Sequence, residues 1–181
     1  MSLVRAYHAG YASEISPFLE GSAGLAESQS QRNWLGRGVY FWESDHRRAE
    51  KWAARNDKEM ILECTLETAL LIDLLIDLLI DDDKSQLFFK LAKDKALAMQ
   101  SPTLQPNNRA TEYFGLDGAL INRMRPELES RFAGIRIAFC LDEPILPDGH
   151  LFPCQQIQIC LWNCQEIREP RKYIGSSFFG L

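Results

Sequence analysis

The chain has 181 residues, 46% of them hydrophobic, and its 20 basic and 25 acidic residues give a net charge of −5. This length is typical of a single domain that buries its own core, and the negative charge provides no general positive field for holding a nucleic-acid backbone. Five cysteines without a CxxC pair favour a reduced compartment over a disulfide scaffold.

The apolar segments are short. The first residues, MSLVRAYHAG, lack the apolar core of about 7–15 residues that a signal peptide needs. Polar residues interrupt every apolar run well before the length of about 18 residues that spans a membrane. We therefore expect a soluble, cytoplasmic protein without a membrane partner.

Two cysteines have a spacing that suggests metal ligands. Cys160 and Cys164 stand four residues apart, as ligands on one helix face do. The surrounding QIQICLWN alternates like a strand, however, and it offers no histidine as a partner. We expect no metal site.

Strands and helices follow one another in the first half of the chain. LVRAYHAG predicts a strand that ends at Gly10, and the segment from Ser13 to Arg32 predicts a loop with a short helix around Ile15–Leu19. GVYFWE predicts a second strand, and SDHRRAEKWAARN predicts a helix capped by Ser44 or Asp45. MILECTLE alternates as a third strand does.

The next segment, LLIDLLIDLLIDDD at residues 70–83, repeats a four-residue unit. Its spacing predicts an amphipathic helix with Asp73, Asp77 and Asp81 on one face. A cation site formed by these carboxylates is the alternative. Hard cations need about six or more converging oxygens, which a regular helix does not provide.

The second half contains fewer clear helices. A helix is predicted over Lys84–Met99, and the prolines of SPTLQPNN mark a loop after it. YFGLDGALIN predicts a strand with a glycine turn, RPELESRF a helical turn or loop, and IRIAFCL a strand. After the connector DEPILPDGHLFPC, QQIQICLWN predicts the last clear strand. Short strands without regular βαβ alternation predict one α+β domain over residues 1–181.

Three segments carry side chains suited to a polar ligand. His8 ends the first strand beside exposed backbone amides, and Tyr40 follows glycines that permit close approach to the backbone. Gln156 and Gln158 project from one face of a strand, where their amides need hydrogen-bonding partners or exposure. Neither GxGxxG nor GxxxxGK[ST] occurs, so a dinucleotide would have to bind by another route.

The blocks YHAG, WLGRGVYFWESDHRRAEKWA and QIQICLWNCQEI occur in this order along the chain. Together they resemble the three sequence blocks of the ADP-ribosyltransferase superfamily, in the branch with a His–Tyr–Glu-type triad. The resemblance extends to uncharacterised bacterial proteins with GRGIYFWE and SHIQICVRN-like blocks. DEPILPDG occupies a similar connector before the last block, and the Leu/Ile/Asp repeat lies outside the resemblance.

The resemblance implies a fold and an activity. The fold would be a split β-sandwich of two small, mainly antiparallel sheets flanked by helices, with NAD in the cleft between them. A mono-ADP-ribosyltransferase of this kind releases nicotinamide and transfers ADP-ribose to a protein or nucleic-acid acceptor. The implied setting is a toxin or defence-system effector with a cognate antitoxin or inhibitor. A NAD glycohydrolase and a non-catalytic NAD-binding module are the alternatives.

The resemblance also assigns roles to residues. His8 would bind the adenosine-side ribose, and the Ala9 backbone would pair with the nicotinamide carboxamide. Tyr40 would stack on the nicotinamide, with Trp52 as the opposite wall. Gln158 stands where the family usually has a glutamate that grips the nicotinamide ribose and stabilises the cationic sugar. The other residues expected to bind NAD are Gly10, Gly38, Ser44 and Gln156.

The glutamine is the main departure from the family pattern. A neutral amide can bond a hydroxyl, but it stabilises positive charge less than a carboxylate does. Transfer with a glutamine, a degenerate site that only binds NAD, and a catalytic acid from elsewhere all remain open. The acids nearest in sequence are Glu43, Asp45 and Glu166. For the diphosphate, Arg5 and Arg37 are the first choices, ahead of Arg47 and Arg48.

An ordinary structural interpretation stands beside these roles. His8 can be a solvated histidine at a strand end, and Tyr40 a core aromatic of a half-buried strand. Trp52 has the i, i+3, i+4 spacing of a helix core face together with Ala49 and Ala53. Gln158 would then be a surface residue.

Overall fold

The computed structural model describes residues 3–30, 33–67, 74–99, 113–140, 155–165 and 167–174. These ranges contain seven strands and four helices. The strands are β1 (Leu3–Gly10), β2 (Val39–Glu43), β3 (Met60–Glu67), β4 (Leu75–Asp77), β5 (Gly134–Cys140), β6 (Gln155–Leu161) and β7 (Ile167–Lys172). The helices are α1 (Ala12–Leu19), α2 (His46–Arg55), α3 (Asp83–Met99) and α4 (Tyr113–Leu128).

All seven strands join one hydrogen-bonded sheet in the order β4-β5-β6-β2-β1-β3-β7. Neighbouring strands are antiparallel except for the parallel pair of β4 and β5. The ladder is unevenly strong, because β1 and β3 share eight registered pairs whereas β1 and β2 share two. A largely antiparallel sheet with segregated helices confirms the predicted α+β class.

Apolar clusters cover both faces of the sheet. Consecutive side chains of β6 alternate between them, since Ile159 belongs to one cluster and Cys160 to the other. Helix α1 contributes Ile15 to the first cluster, and α4 contributes Met124 to the second. Each fully buried side chain of this size adds about 1.5–3 kcal/mol of hydrophobic stabilisation. The sheet is thus a buried central layer that can hold strand ends rigidly.

Most predicted elements are confirmed. The predicted strands around β1, β2, β3, β5 and β6 are present, as are the helices α2 and α3. The short helix expected around Ile15–Leu19 begins earlier, at Ala12, and β7 follows the segment predicted to be the last clear strand. The predicted loops at 101–108 and 142–154 lie outside the described residues. None of the helices in the described ranges has the length and apolar composition that a bilayer crossing needs.

The helix predicted for the Leu/Ile/Asp repeat is wrong at Leu75–Asp77, which form β4. Leu75 and Ile76 are both fully buried, and a strand buried on both faces reads as a continuous apolar run. Asp77 binds Arg136 at 2.7 Å, so its carboxylate is satisfied by the protein. Asp73 lies outside the described residues. The described His, Cys, Asp and Glu residues contain no group arranged to hold a metal ion.

The strand predicted for YFGLDGALIN is also wrong, because this segment begins helix α4. RPELESRF, predicted as a helical turn or loop, extends that helix to Leu128. Gly118 does not form a turn there. A Cβ at this position would collide with the backbone oxygen of Asn33, so the glycine lets the helix pack closely against the loop before β2. Ile121, Met124 and Leu128 are buried one turn apart and anchor the helix.

Candidate active site

The site begins where β1 and β2 separate. Both strands lie wholly in the described ranges, and their ladder consists of the pairs Ala6–Glu43 and Tyr7–Trp42. At the next residue of β1 the connection to β2 is made by a side chain: the Nδ1 of the His8 imidazole lies 2.9 Å from the backbone oxygen of Tyr40. A side chain therefore spans a gap that backbone groups close elsewhere in the sheet.

A cleft of about 730 Å³ opens at this gap, within the size range of about 300–1,000 Å³ that is typical of small-molecule sites. It is bounded by β1, α1, the loop before β2, β2 itself, α2 and β6. Most of the residues that sequence reasoning assigned to NAD line this one cleft: His8, Ala9, Gly38, Tyr40, Trp52, Gln156 and Gln158.

His8 has a fixed proton arrangement. A carbonyl oxygen only accepts, so Nδ1–H must donate to Tyr40, and the neutral ring leaves Nε2 as an acceptor. Burial is the main cause that lowers the pKa of His8, and it outweighs the opposing effects of the Tyr40 hydrogen bond and of Glu14. Regular alternation would turn this side chain away from the face that carries Tyr7 and Ala9. The His8 side chain lines the cleft at the place where the pairing between β1 and β2 has ended.

Tyr40 presents its ring to the cleft and its hydroxyl to the preceding loop. The hydroxyl accepts from the Leu35 backbone N–H at 2.9 Å and donates to the Gly36 backbone oxygen at 2.7 Å. Burial raises the pKa of Tyr40 far above its usual value, so the side chain remains a neutral phenol. The ring is thereby held in one orientation, as a stacking surface must be.

Gly38 explains how β2 reaches β6 beside the cleft. A Cβ at this position would collide with the Cys160 Sγ, so only glycine permits the close approach at this point. The sequence predicts that the glycines before Tyr40 permit such a close approach to the backbone. The structure identifies Cys160 as the neighbour that requires it.

The two glutamines of β6 face the cleft together. Gln158 lies opposite Trp42 in the antiparallel ladder, and Gln156 stands two residues earlier on the same strand face. Gln156 is 5% exposed. In the described part of the chain neither side-chain amide forms a hydrogen bond, so both can bind a polar ligand.

Aromatic side chains form further walls. Trp52 is 39% exposed, and its ring centroid lies 5.6 Å from that of Trp42. It does not belong to the buried face of α2, which Ala49 and Ala53 form. Trp34 also lines the cleft and packs edge-on against Phe139 at 4.5 Å. Sequence reasoning missed Trp34 and Trp42, although Trp42 follows Tyr40 by two residues and therefore shares its strand face.

One rim of the cleft is cationic. Arg48, Lys51 and Arg55 stand beside Trp52 on one face of α2, and Lys58 follows just after the helix. Within the described residues neither Lys51 nor Arg55 forms an ion pair. These cations were not the first choices for the diphosphate. Of the residues named earlier for that role, Arg48 lines the cleft, whereas Arg5, Arg37 and Arg47 do not.

Two acidic residues also line the cleft, Glu14 and Glu27. Glu27 is held by Arg125 at 2.7 and 3.0 Å, and this hydrogen-bonded pairing lowers the pKa of Glu27. Glu14 is on α1, close to His8, and sequence reasoning missed it. Its position three residues after Tyr11 is the signal that could have found it, because Glu at this place in a helix commonly caps the first turn.

Several predicted residues lie away from the cleft lining. Ser44 directly follows β2 and donates its backbone N–H to the backbone oxygen of Arg5 at 2.8 Å. Gly10 borders the cleft without lining it. Of the acids considered as replacements for the missing glutamate, Glu43 binds Arg136 at 2.6 Å and Asp45 caps α2 through Arg48 N–H. Glu166 lies outside the described residues.

Comparisons of the chain with protein-family models, with curated proteins and with solved structures found no match. The functional interpretation therefore depends on the cleft itself.

Proposed function

We propose that this protein is a mono-ADP-ribosyltransferase that binds NAD in the cleft, releases nicotinamide and transfers ADP-ribose to a macromolecular acceptor. The observation that supports it best is the convergence of His8, Tyr40 and Gln158, which are far apart in sequence, on one cleft of suitable size. In this proposal the protein acts in the cytoplasm as a toxin or defence effector. The acceptor is a protein or a nucleic acid, and a cognate antitoxin restrains the activity.

The proposed binding mode uses each wall of the cleft. The His8 Nε2 acceptor takes a hydroxyl of the adenosine-side ribose, and the Ala9 backbone pairs with the carboxamide. The Tyr40 ring stacks on the nicotinamide, with Trp52 on the opposite side. Lys51 and Arg55 supply charge for the diphosphate, for which exposed ammonium and guanidinium groups are suitable partners.

In the proposed reaction the bond between nicotinamide and ribose breaks first. Nicotinamide leaves with the bonding electron pair, and the sugar acquires oxocarbenium character. The Gln158 amide oxygen accepts from a ribose hydroxyl and directs its dipole at the developing positive charge. An acceptor nucleophile then attacks the anomeric carbon and loses its proton.

The proposed fold is the split sandwich of that superfamily. Support comes from the ladder between β1 and β2, which is the weakest antiparallel junction of the sheet with two registered pairs. This junction divides the strands into a group of β4, β5, β6 and β2 and a group of β1, β3 and β7. The cleft opens at the same junction.

A NAD-binding module without catalysis is the second candidate. The uncharged Gln158 favours it, because the carboxylate that would best stabilise the cationic sugar is missing. Of the two acids that line the cleft, Glu27 is already bound to Arg125. Hydrolysis of NAD is the third candidate, in which water replaces the acceptor.

The test uses purified protein, NAD labelled in the adenosine portion and a cell lysate. Label in macromolecules supports transfer, free ADP-ribose supports hydrolysis, and saturable binding without nicotinamide release supports a module. We expect Gln158→Ala to reduce nicotinamide release far more than NAD affinity, since its amide acts mainly on the developing cation. Gln158→Glu supplies the charge and should raise the release rate.

The matched control is Gln165→Ala, which removes an exposed amide outside the cleft. It should leave both release and affinity unchanged. Wild-type turnover in Gln158→Ala would remove Gln158 from the mechanism, and the absence of any NAD binding by calorimetry would refute the proposal as a whole.

A further inference from the structure

Gly10 marks a point where two acceptors approach each other. The position that a Cβ on Gly10 would occupy lies 3.1 Å from the His8 Nε2 and 3.3 Å from a carboxylate oxygen of Glu14. Both side chains line the cleft. No ion pair or hydrogen bond joins them among the described residues, so the two atoms border the same small volume without satisfying each other.

Both groups are held in place as acceptors. The Tyr40 carbonyl fixes the His8 proton on Nδ1, which leaves Nε2 with a lone pair. The Glu14 carboxylate accepts from the Tyr11 backbone N–H at 3.2 Å. The neighbouring Ala12 N–H donates to Glu59 at 2.9 Å, so these backbone donors at the start of α1 are already occupied by carboxylates and do not attract a phosphate.

We propose that His8 and Glu14 form a paired acceptor site for the two hydroxyls of the adenosine-side ribose, and that the protein thereby selects NAD over NADP. This inference deepens the proposed function and rests on it. A carboxylate accepts readily from a sugar hydroxyl, and it is the group that opposes a 2′-phosphate, because two anions would meet in a partly buried site. Glu14 is then the specificity-determining residue.

Lys58 is a cation whose charge would favour NADP instead. It also lines the cleft, but its ammonium stands over the Tyr11 ring, 3.1 Å from the ring centroid. In this position the ring face attracts the charge. With Glu14 present, its negative charge offsets the positive charge of Lys58 near the ribose. Without Glu14, the positive charge of Lys58 attracts a 2′-phosphate.

The experiment measures the affinities of NAD and NADP by calorimetry for the wild type and for Glu14→Gln. The wild type should bind NAD about tenfold or more tightly than NADP, since like charges brought together at an interface are strongly disfavoured. Glu14→Gln should bring the ratio close to one. Glu20→Gln is the matched control, because it removes the same charge from an exposed position at the end of α1, and its ratio should equal that of the wild type.

A second ligand keeps the test independent of folding of the variant. NAD lacking the 2′-hydroxyl of the adenosine ribose should bind the wild type several-fold more weakly than NAD. Equal wild-type affinities for NAD and NADP, or a ratio unchanged in a folded Glu14→Gln, would overturn the paired-acceptor site and leave the proposed function standing. If neither nucleotide binds, the proposed function fails and this inference fails with it.

Discussion

The Tyr40 side chain combines two roles that two substitutions can separate. Its hydroxyl holds the loop before β2 through Leu35 and Gly36, at 2.9 and 2.7 Å. Its ring faces the cleft. Tyr40→Phe removes the two hydrogen bonds and keeps the ring, whereas Tyr40→Ala removes both.

The expected magnitudes follow from these contacts. Each hydrogen bond contributes about 0.5–1.5 kcal/mol net, so Tyr40→Phe should lower the free energy of unfolding by about 1–3 kcal/mol. Its NAD affinity should stay within about threefold of the wild type because the stacking surface remains. Stacking on an aromatic ring is worth about 1–3 kcal/mol, so Tyr40→Ala should weaken NAD binding by about 5–150-fold.

Urea denaturation gives the stabilities and calorimetry gives the affinities. Tyr40→Phe with wild-type stability would show that the hydroxyl does not secure the loop. If Tyr40→Ala were folded and bound NAD as tightly as the wild type does, the stacking role would be refuted.

Three other expectations concern charge. Because burial lowers the pKa of His8 below 6.5, NAD affinity should stay constant from neutral pH down to about that value and fall as the pH passes the lowered pKa. A folded His8→Gln that retained this pH profile would contradict the assignment. Arg136→Met leaves the partly buried Glu43 and Asp77 without their cation, and it should cost up to about 3–5 kcal/mol in urea denaturation. The exposed Arg123→Met serves as control, and an equal loss in both would argue against the ion network. Lys51→Ala with Arg55→Ala should weaken NAD binding by about tenfold at low salt and reduce its salt dependence. Arg47→Ala on the same helix should change neither the affinity nor its salt dependence. An unchanged affinity of the double variant would show that the diphosphate does not bind at Lys51 and Arg55.

Local pattern was sufficient for the elements whose environment is ordinary. β1, β3 and β6 alternate clearly, and α2 has its Asp45 cap and its buried Ala49 and Ala53. Pattern failed where a distant partner decided the structure. Leu75 and Ile76 became a strand because β5 supplies a parallel neighbour, and the Gly118 that suggested a turn serves close packing against Asn33.

The candidate site likewise contains residues that local sequence predicted and residues that only the fold brings together. His8, Tyr40 and Gln158 were found because they stand in blocks that resemble a known family. The Glu14 carboxylate, the Trp34 wall and, apart from Arg48, the cationic face of α2 were missed. Their importance appears only when α1, the loop before β2 and α2 meet around one cleft. No spacing in the sequence predicts that His8 will replace a ladder bond to Tyr40.

Beyond the two backbone pairs of the β1–β2 ladder, the His8 imidazole is the group that joins β1 to β2 at the edge of the opening. Every other junction of the sheet is fixed by repeated backbone pairing, so its spacing cannot vary without shifting a whole strand. Here one amino-acid exchange at position 8 could widen or narrow the mouth while each strand keeps its register. Variants of this scaffold with a wider or narrower cleft are therefore accessible through very few changes.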